Sequence, residues 1–420
     1  LHSNEKDYYA AFFEKRISKI MERKMKISLV VKIAILSASM CTMASDMVIV
    51  PILDLLYRAF PDTSQTIVGM AYTIAGIAFI PASLLTPFLC KKYKMKSLMI
   101  GGTVLCMIGG GLGGIIHNIY YVILMHFIEG IGAGICTNLI PIYIAKLCAN
   151  EKEITEMNAW NGVIGTFCGL IAALFSGMAA AAFGWQAAYY VFFVELIVLA
   201  MQILFLPGEE QVLGESEQEQ TQKTRMHGRQ IRWVVEVFVI ALLINIMWTN
   251  QSQYLAEKGL GGADTAGLAS SCLQLGGMVS GFILAKVMQK TKSYHQNLVC
   301  LIFVLSLGMM LRSTSAGAFL TASFVWGIGQ GLFYPYMFAE ATLIADNEDE
   351  VAGLISWTTI GWYLAVGLTT ICYRPVELIF HNNTSAFALT FTMVAFTVVF
   401  VYRIFMGTRE RKYEKESNYI

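Results

Sequence analysis

The sequence predicts an all-α membrane protein of twelve transmembrane helices in two six-helix bundles related by a pseudo-two-fold axis. Three observations carry this expectation. The 420 residues are 56% apolar and 14% charged, with a mean hydropathy of +0.58, far outside the soluble globular range. Apolar runs approaching or exceeding the roughly 20 residues needed to cross a bilayer at about 1.5 Å per residue recur along the chain. The chain also repeats itself. Gly130-Ile131-Gly132-Ala133-Gly134, Asn150-Glu151-Lys152-Glu153 and Trp160 return as Gly327-Ile328-Gly329-Gln330-Gly331, Asn347-Glu348-Asp349-Glu350 and Trp357, always 197 positions downstream.

Residues 1–27 are polar and charged, and Phe12, Phe13, Ile17, Ile20 and Met21 are spaced as one face of a short amphipathic helix on the membrane surface. With no cleavage site at signal-peptide length, the segment is expected to be retained. Twelve runs follow, at 28–57, 65–90, 97–116, 119–146, 159–183, 186–206, 233–254, 264–288, 296–312, 316–345, 352–373 and 384–407. They bound an amino-terminal bundle at 28–206 and a carboxy-terminal bundle at 233–408, with a polar tail at 409–420. The linker at 207–232 starts at Pro207, is rich in Glu and closes with Lys223, Arg225, Arg229 and Arg232, the composition of a solvated connector. Basic residues gather on one side, at Lys91, Lys92, Lys94, Lys96, Lys146, Lys152, Lys286, Lys290 and Lys292 and after the last run. The other side holds Arg58, Lys258, Arg312 and Arg374, so both termini are expected in the cytoplasm and the chain in the plasma membrane.

Several function classes recede at this point. A net charge of +1 offers no basic surface for nucleic acid. The nine cysteines lie in or at the ends of apolar runs without C-x-x-C spacing, which suits small hydrophobes better than a disulfide frame or a metal site. No G-x-S-x-G, HExxH or Walker pattern occurs, so an enzyme is not expected, nor any cofactor. A parallel duplication of a many-span unit is instead a recurring plan for solute carriers, which bind between the two halves near the bilayer midplane.

Twelve runs divided six and six, cytoplasmic termini and a charged central linker together resemble the major facilitator superfamily over nearly the whole chain. After its second helix that superfamily carries G-x-x-x-[DE]-[RK]-x-G-x-[RK]-[RK]. The matching stretch is Thr86-Pro87-Phe88-Leu89-Cys90-Lys91-Lys92-Tyr93-Lys94-Met95-Lys96, with Cys90 in the place of the acid. Gly281-Phe282-Ile283-Leu284-Ala285-Lys286 is a fainter copy after the eighth run. The fourth helix of the drug:proton antiporter branch reads R-x-x-x-G-x-G, and His126-Phe127-Ile128-Glu129-Gly130-Ile131-Gly132 keeps the spacing with histidine for arginine. Gly165-Thr166-Phe167-Cys168-Gly169-Leu170 is similar to that branch's G-x-x-x-G-P without the proline. Gly184-Trp185-Gln186 looks like the family's Gly-Trp-Arg. The resemblance implies secondary active transport by alternating access, helices 1, 4, 7 and 10 around a central cavity, and a conformational role for the loop bearing Lys91, Lys92 and Lys94.

A charge at the bilayer centre costs about 2.5–3.5 kcal/mol on insertion scales, so each one there needs a reason. Asp46 lies in the first run, and His126 and Glu129 lie three apart in the fourth, on one helix face. They form a candidate proton-coupling cluster whose protonation would favour one facing state while substrate favours the other. The alternative is a static pair that fixes helix packing. Glu236 and Glu340 are candidates for a second acidic site near the cytoplasmic ends of their runs, or else solvated helix-end charges. Asp54 and Arg58 are spaced for a local ion pair, and Glu195 falls mid-span in the sixth run without a ready explanation.

Candidate substrate contacts are Asn245, Trp248, Asn250 and Gln251 on the seventh run, Tyr334 and Tyr336 on the tenth, and Trp357 and Trp362 on the eleventh. Aromatic faces with a few amides suit an amphiphilic, drug-like organic solute. The expected partners are that solute, protons and the lipid bilayer, with the chain acting as a monomer. Proton-coupled efflux is the leading expectation. An uptake or exchange carrier for an organic anion or metabolite, and a non-transporting sensor on the same fold, remain the alternatives.

Overall fold

The computed structural model describes residues 29–148, 150–208, 226–291, 294–345 and 348–417. The expected amphipathic segment at 1–27, most of the linker and the repeat's second asparagine, Asn347, lie outside the described residues. Among the described residues every ordered element is helical. Helix α1 comprises Leu29–Ser37, Ser39–Ile49, the 3₁₀ turn Val50–Ile52 and Leu53–Ala59. It is followed by α2 (Gln65–Lys92), α3 (Met95–Gly111), α4 (Ile119–Leu147) and α5 (Glu151–Phe183). Helix α6 joins a 3₁₀ stretch, Trp185–Val194, to an α-helical one, Glu195–Phe205. The second half holds α7 (Gly228–Glu257), α8 (Ala263–Thr291), α9 (His295–Leu311), α10 (Ala316–Ile344), α11 (Glu348–Phe380) and α12 (Ser385–Ser417).

Nine of the described helices are long and apolar enough to span alone; α1 adds a tenth span bent by 46°, while α3 and α9 are shorter apolar helices. Beyond the bend, Pro51 sits in the 3₁₀ turn and cannot donate to the helix ladder, which marks the change from Ser39–Ile49 to Leu53–Ala59. Antiparallel succession puts the described ends, Leu29 and Ser417, on one face, the terminal face, together with the α2–α3, α4–α5, α8–α9 and α10–α11 turns. The α1–α2, α3–α4, α7–α8 and α11–α12 turns mark the far face.

The duplication is carried into the packing. Helices α4 and α10 start and end 197 residues apart, as do α5 and α11. A Cβ on Gly130 would strike Ala75 of α2 and one on Gly134 would lie 2.9 Å from Phe79 O, while Gly132 abuts Gly102 and Cys106 of α3 at 2.7 Å and less. In the second half Gly327 abuts Leu273 and Gly331 abuts Gly277 and Ser280 of α8, while Gly329 abuts Phe303 of α9 at 2.9 Å. The first and third glycines thus serve one purpose in both copies, close backbone approach to α2 and to α8, while the middle one meets backbone of α3 in the first copy and side chains of α9 in the second.

Several expected boundaries move. The polar signature Asn150-Glu151-Lys152-Glu153 is a helix start and not a loop. Asn150 accepts from the Glu153 N–H at 2.9 Å, and Glu151 and Glu153 complement the helix dipole in the first turn. Helix α11 correspondingly begins at Glu348, ahead of 352, α7 begins at Gly228 within the expected linker, and α12 runs to Ser417 through most of the expected tail.

The two halves meet along α2 with α11, α5 with α8, and the far end of α1 with α7. Toward the far face the seam is tight. Gly69 faces Thr370, Gly76 faces Val366 and Gly367, Gly177 faces Ala263 and Gly267, and the Asp54 N–H donates to Ser252 Oγ at 3.2 Å. Near midplane Phe79 stacks on Tyr363 at 3.7 Å, and Ser271 donates to Leu170 O at 2.9 Å. Toward the terminal face Gly162 on α5 and Gly281 on α8 look into open space. The contacts between the halves thus run from the far face to midplane, so the seam is sealed toward the far face.

Candidate functional site

Just past the bend of α1, Asp46 is half-buried at the inner wall of the amino-terminal half. Its carboxyl lies within electrostatic reach of Glu129 and His126 on α4 and of Tyr72, Tyr334 and Tyr363, which stand on α2, α10 and α11. Asp46 therefore stands where both halves contribute side chains. His126 and Glu129 are 1% and 0% exposed, one turn apart on the α4 face that packs on α3, where Gly109 leaves room for the α4 backbone. His126 Nδ1 donates to Glu129 Oε2 at 2.6 Å, and Nε2 meets the Tyr189 hydroxyl at 3.2 Å. With Nδ1 committed to the carboxylate, a neutral imidazole accepts from Tyr189 at Nε2 and an imidazolium donates to it. One proton decides which way that bond runs.

Around Asp46 the seam is lined by aromatic rings and amides. The Tyr72 hydroxyl on α2 donates to Asn245 Oδ1 on α7 at 2.7 Å, a bond between the halves, and the Asn245 amide is anchored on Ala241 O. Trp248 Nε1 donates to Gln330 Oε1 at 3.2 Å, tying α7 to α10. Tyr334 is half-buried, edge-on to Trp362 at 5.3 Å and within electrostatic reach of Tyr363, which in turn stacks on Phe79. Tyr72, Phe79, Gln330 and Tyr363 were not among the sequence candidates. Their runs show no periodicity that separates a seam-facing ring from a lipid-facing one.

The other sequence candidates lie apart from this chamber. Gln251 is fully buried and donates to Ser270 Oγ at 3.0 Å, which locks α7 to α8 inside the second bundle. Asn250 is half-buried and spends its amide on Ile246 O at 2.8 Å in its own helix. Tyr336 turns to Trp233 and His295, and Trp357 is 45% exposed in the terminal half of α11. Glu236 and Glu340 share a small pocket near the terminal face with Arg229, Arg232, Trp233, Ile344 and Arg403. Arg403 reaches Glu236 at 3.2 Å and Arg232 reaches it at 3.7 Å, so the expected acidic site is a cluster in which arginines match the carboxylates.

Lys91, Lys92 and Lys94 are exposed on the terminal face. Lys91 and Lys92 lie over the rings of Phe88 and Tyr93 at 5.9 and 5.5 Å, and half-buried Cys90 holds the acid's place in that loop. Asp54 and Arg58 pair at 3.0 Å at the far end of α1.

Known proteins agree with this architecture. The sequence profile of the Major Facilitator Superfamily matches residues 35–370. The multi-drug resistance efflux pump PmrA of Streptococcus pneumoniae serotype 4 is 23% identical over 308 residues, 70% of this chain and 76% of that protein. The sugar transport protein MST8 of Oryza sativa subsp. japonica is 23% identical over 133 residues, and the match spans 31% of this chain and 26% of that one. The crystal structure of a bacterial homolog to the human lysosomal transporter Spinster, inward-facing and occupied, superimposes with a TM-score of 0.71 at 14% identity, covering 90% of this chain and 96% of that one.

Proposed function

The chain belongs to the major facilitator superfamily, and from that premise we propose that it carries a small amphiphilic organic solute by alternating access, driven by protons bound at Asp46, His126 and Glu129. The observation that carries the reading is the placement of a half-buried acid within electrostatic reach of a sealed His–Glu pair on one side and of three tyrosines on the other. Proton occupancy changes the charge at the point where the halves touch. A charged Asp46 needs water and favours the open cleft, whereas a neutral one tolerates the closed one.

The chamber supports the solute class. Tyr72, Tyr334, Tyr363, Trp248 and Trp362 provide flat apolar faces, and Asn245 and Gln330 provide amides that can exchange their present partners for ligand groups. Among the described residues no lysine or arginine stands beside Asp46 to pair with an anion, which favours neutral or cationic solutes over organic anions. The terminal face is taken as cytoplasmic from its Lys91, Lys92, Lys94, Lys146 and Lys286. Together with the naming of PmrA as a multi-drug resistance efflux pump, this orients the proposal toward export from the cytoplasm.

The test is thermal stabilisation of the purified chain across a panel of aromatic cations, neutral amphiphiles and organic anions at an acidic and an alkaline pH. Hits are then followed by flux into proteoliposomes under a pH gradient. Stabilisation by cationic or neutral amphiphiles, stronger at alkaline pH, is the expected result. Flux indifferent to the gradient contradicts proton drive, and stabilisation only by anions contradicts the solute class.

A further inference from the structure

The core of the amino-terminal bundle contains a third acid that the coupling cluster above does not use. Glu195 is 1% exposed, and neither of its carboxyl oxygens has a hydrogen-bond partner among the described residues. It sits where α6 changes from the 3₁₀ stretch Trp185–Val194 to the α-helical stretch Glu195–Phe205. A ten-residue 3₁₀ run is long for that conformation, and a change of winding in mid-span marks a hinge or a functional position. Packing on α3 fixes this place: Gly110 receives Phe192, and a Cβ on Gly111 would lie 3.4 Å from Phe193.

The ionisable groups around Glu195 are Glu129, His126 and Cys136 from α4, Cys41 from α1, Cys106 from α3 and Tyr189 from α6 itself; α5 reaches this core with Cys168, through Cys41. Glu129 is within electrostatic reach of both Glu195 and Asp46. Its own Oε1 is buried without a partner, while Oε2 is taken by His126.

The chemistry then follows from charge. Three carboxyls face one imidazole in a low-dielectric core, and the groups just named include no lysine or arginine. An unpaired carboxylate in such a place is far costlier than the neutral acid, and of the two buried glutamates only Glu129 is hydrogen-bonded to the imidazole. Glu195 has no partner of its own among the described residues, so a proton on it removes the uncompensated charge from the core.

We propose that Glu195 is a second proton-binding site, occluded behind Glu129, which exchanges its proton with the cleft through Glu129 and Asp46. It rests on the proton-coupled reading above and adds a proton to it. In each transfer an O–H bond breaks at one carboxyl and forms at the next, with no redox change. The row continues down α6 to Gln202, fully buried, whose Oε1 accepts from Thr103 at 2.9 Å.

The experiment uses the full chain in two arms. Infrared difference spectra of the solute-free protein between acidic and alkaline buffer, in H₂O and D₂O, report protonated carboxyls directly. The wild type is expected to show at neutral pH a protonated-carboxyl band that shifts in D₂O and is missing from Glu195→Gln. Glu195→Met, which removes the polar group altogether, repeats the comparison if the amide variant folds poorly. A band unchanged by both substitutions, or one that does not exchange in D₂O, overturns the proposal. In the second arm, protons moved per solute in proteoliposomes should fall by one in Glu195→Gln; an unchanged ratio overturns the coupling role. Gradient-independent flux in the wild type would defeat the proton-coupled reading instead, and the infrared arm would still decide the protonation of Glu195.

Discussion

At the residue scale, the proposed coupling turns on a few bonds whose sense depends on one proton. The His126–Tyr189 contact is the clearest, because Nδ1 is already committed to Glu129 and Nε2 alone is free to change roles. Tyr189→Phe removes that partner at a cost of about 1 kcal/mol. It should therefore displace the pH profile of flux while leaving solute affinity near the wild-type value, which a pH series of initial rates checks. Tyr72→Phe should act in the opposite way. It deletes the bond to Asn245 between the halves, again worth about 1 kcal/mol, or roughly five-fold in apparent solute affinity, with the pH profile unchanged; equilibrium binding measures it. Asp46, His126 and Glu129 were legible in the sequence because a charge within an apolar run is conspicuous. Tyr72, Phe79 and Tyr363 were not, because a ring that faces the seam and one that faces lipid look alike until the helices are placed. Glu195 was visible as a charge, but its role depends on the neighbours that the fold brings to it.

At the element scale, glycine spacing decides which helices touch. Gly130 and Gly327 occupy the same place in the two copies, each against the backbone of a neighbour. Gly130→Leu and Gly327→Leu should each destabilise their bundle by about 1–3 kcal/mol or more through overpacking. Gly281→Ala, which meets open space, should leave the thermal unfolding temperature unchanged. Thermal unfolding in detergent compares the three. The helix starts show what a run-counting reading misses. Asn150-Glu151-Lys152-Glu153 is polar and so reads as loop, yet an Asn cap followed by acids is the chemistry of a helix's first turn. Hydropathy marks where a helix is in lipid; capping marks where it begins.

At the scale of the whole molecule, the 197-residue repeat already implied two like bundles and a cleft between them, and the shared glycine contacts of α4 and α10 bear that out. Which face of the cleft is sealed was not legible, since no single run encodes the pairing of α2 with α11 or α5 with α8. The sealed far half makes a prediction of its own. A Cβ on Gly177 would strike Ala263 O and one on Gly267 would lie 2.5 Å from Ala173 O, so a side chain at either position wedges the sealed half of the seam apart. Gly177→Val should therefore disfavour the far-sealed state and lower the rate of flux, while Gly281→Ala leaves it at the wild-type value; initial rates in proteoliposomes compare them.

If proton occupancy at Asp46 switches the cleft, flux through Asp46→Asn in proteoliposomes decides it, measured both as solute counterflow without a gradient and as transport driven by a pH gradient. Counterflow should persist while gradient-driven accumulation is lost. Gradient-driven accumulation equal to that of the wild type would contradict it.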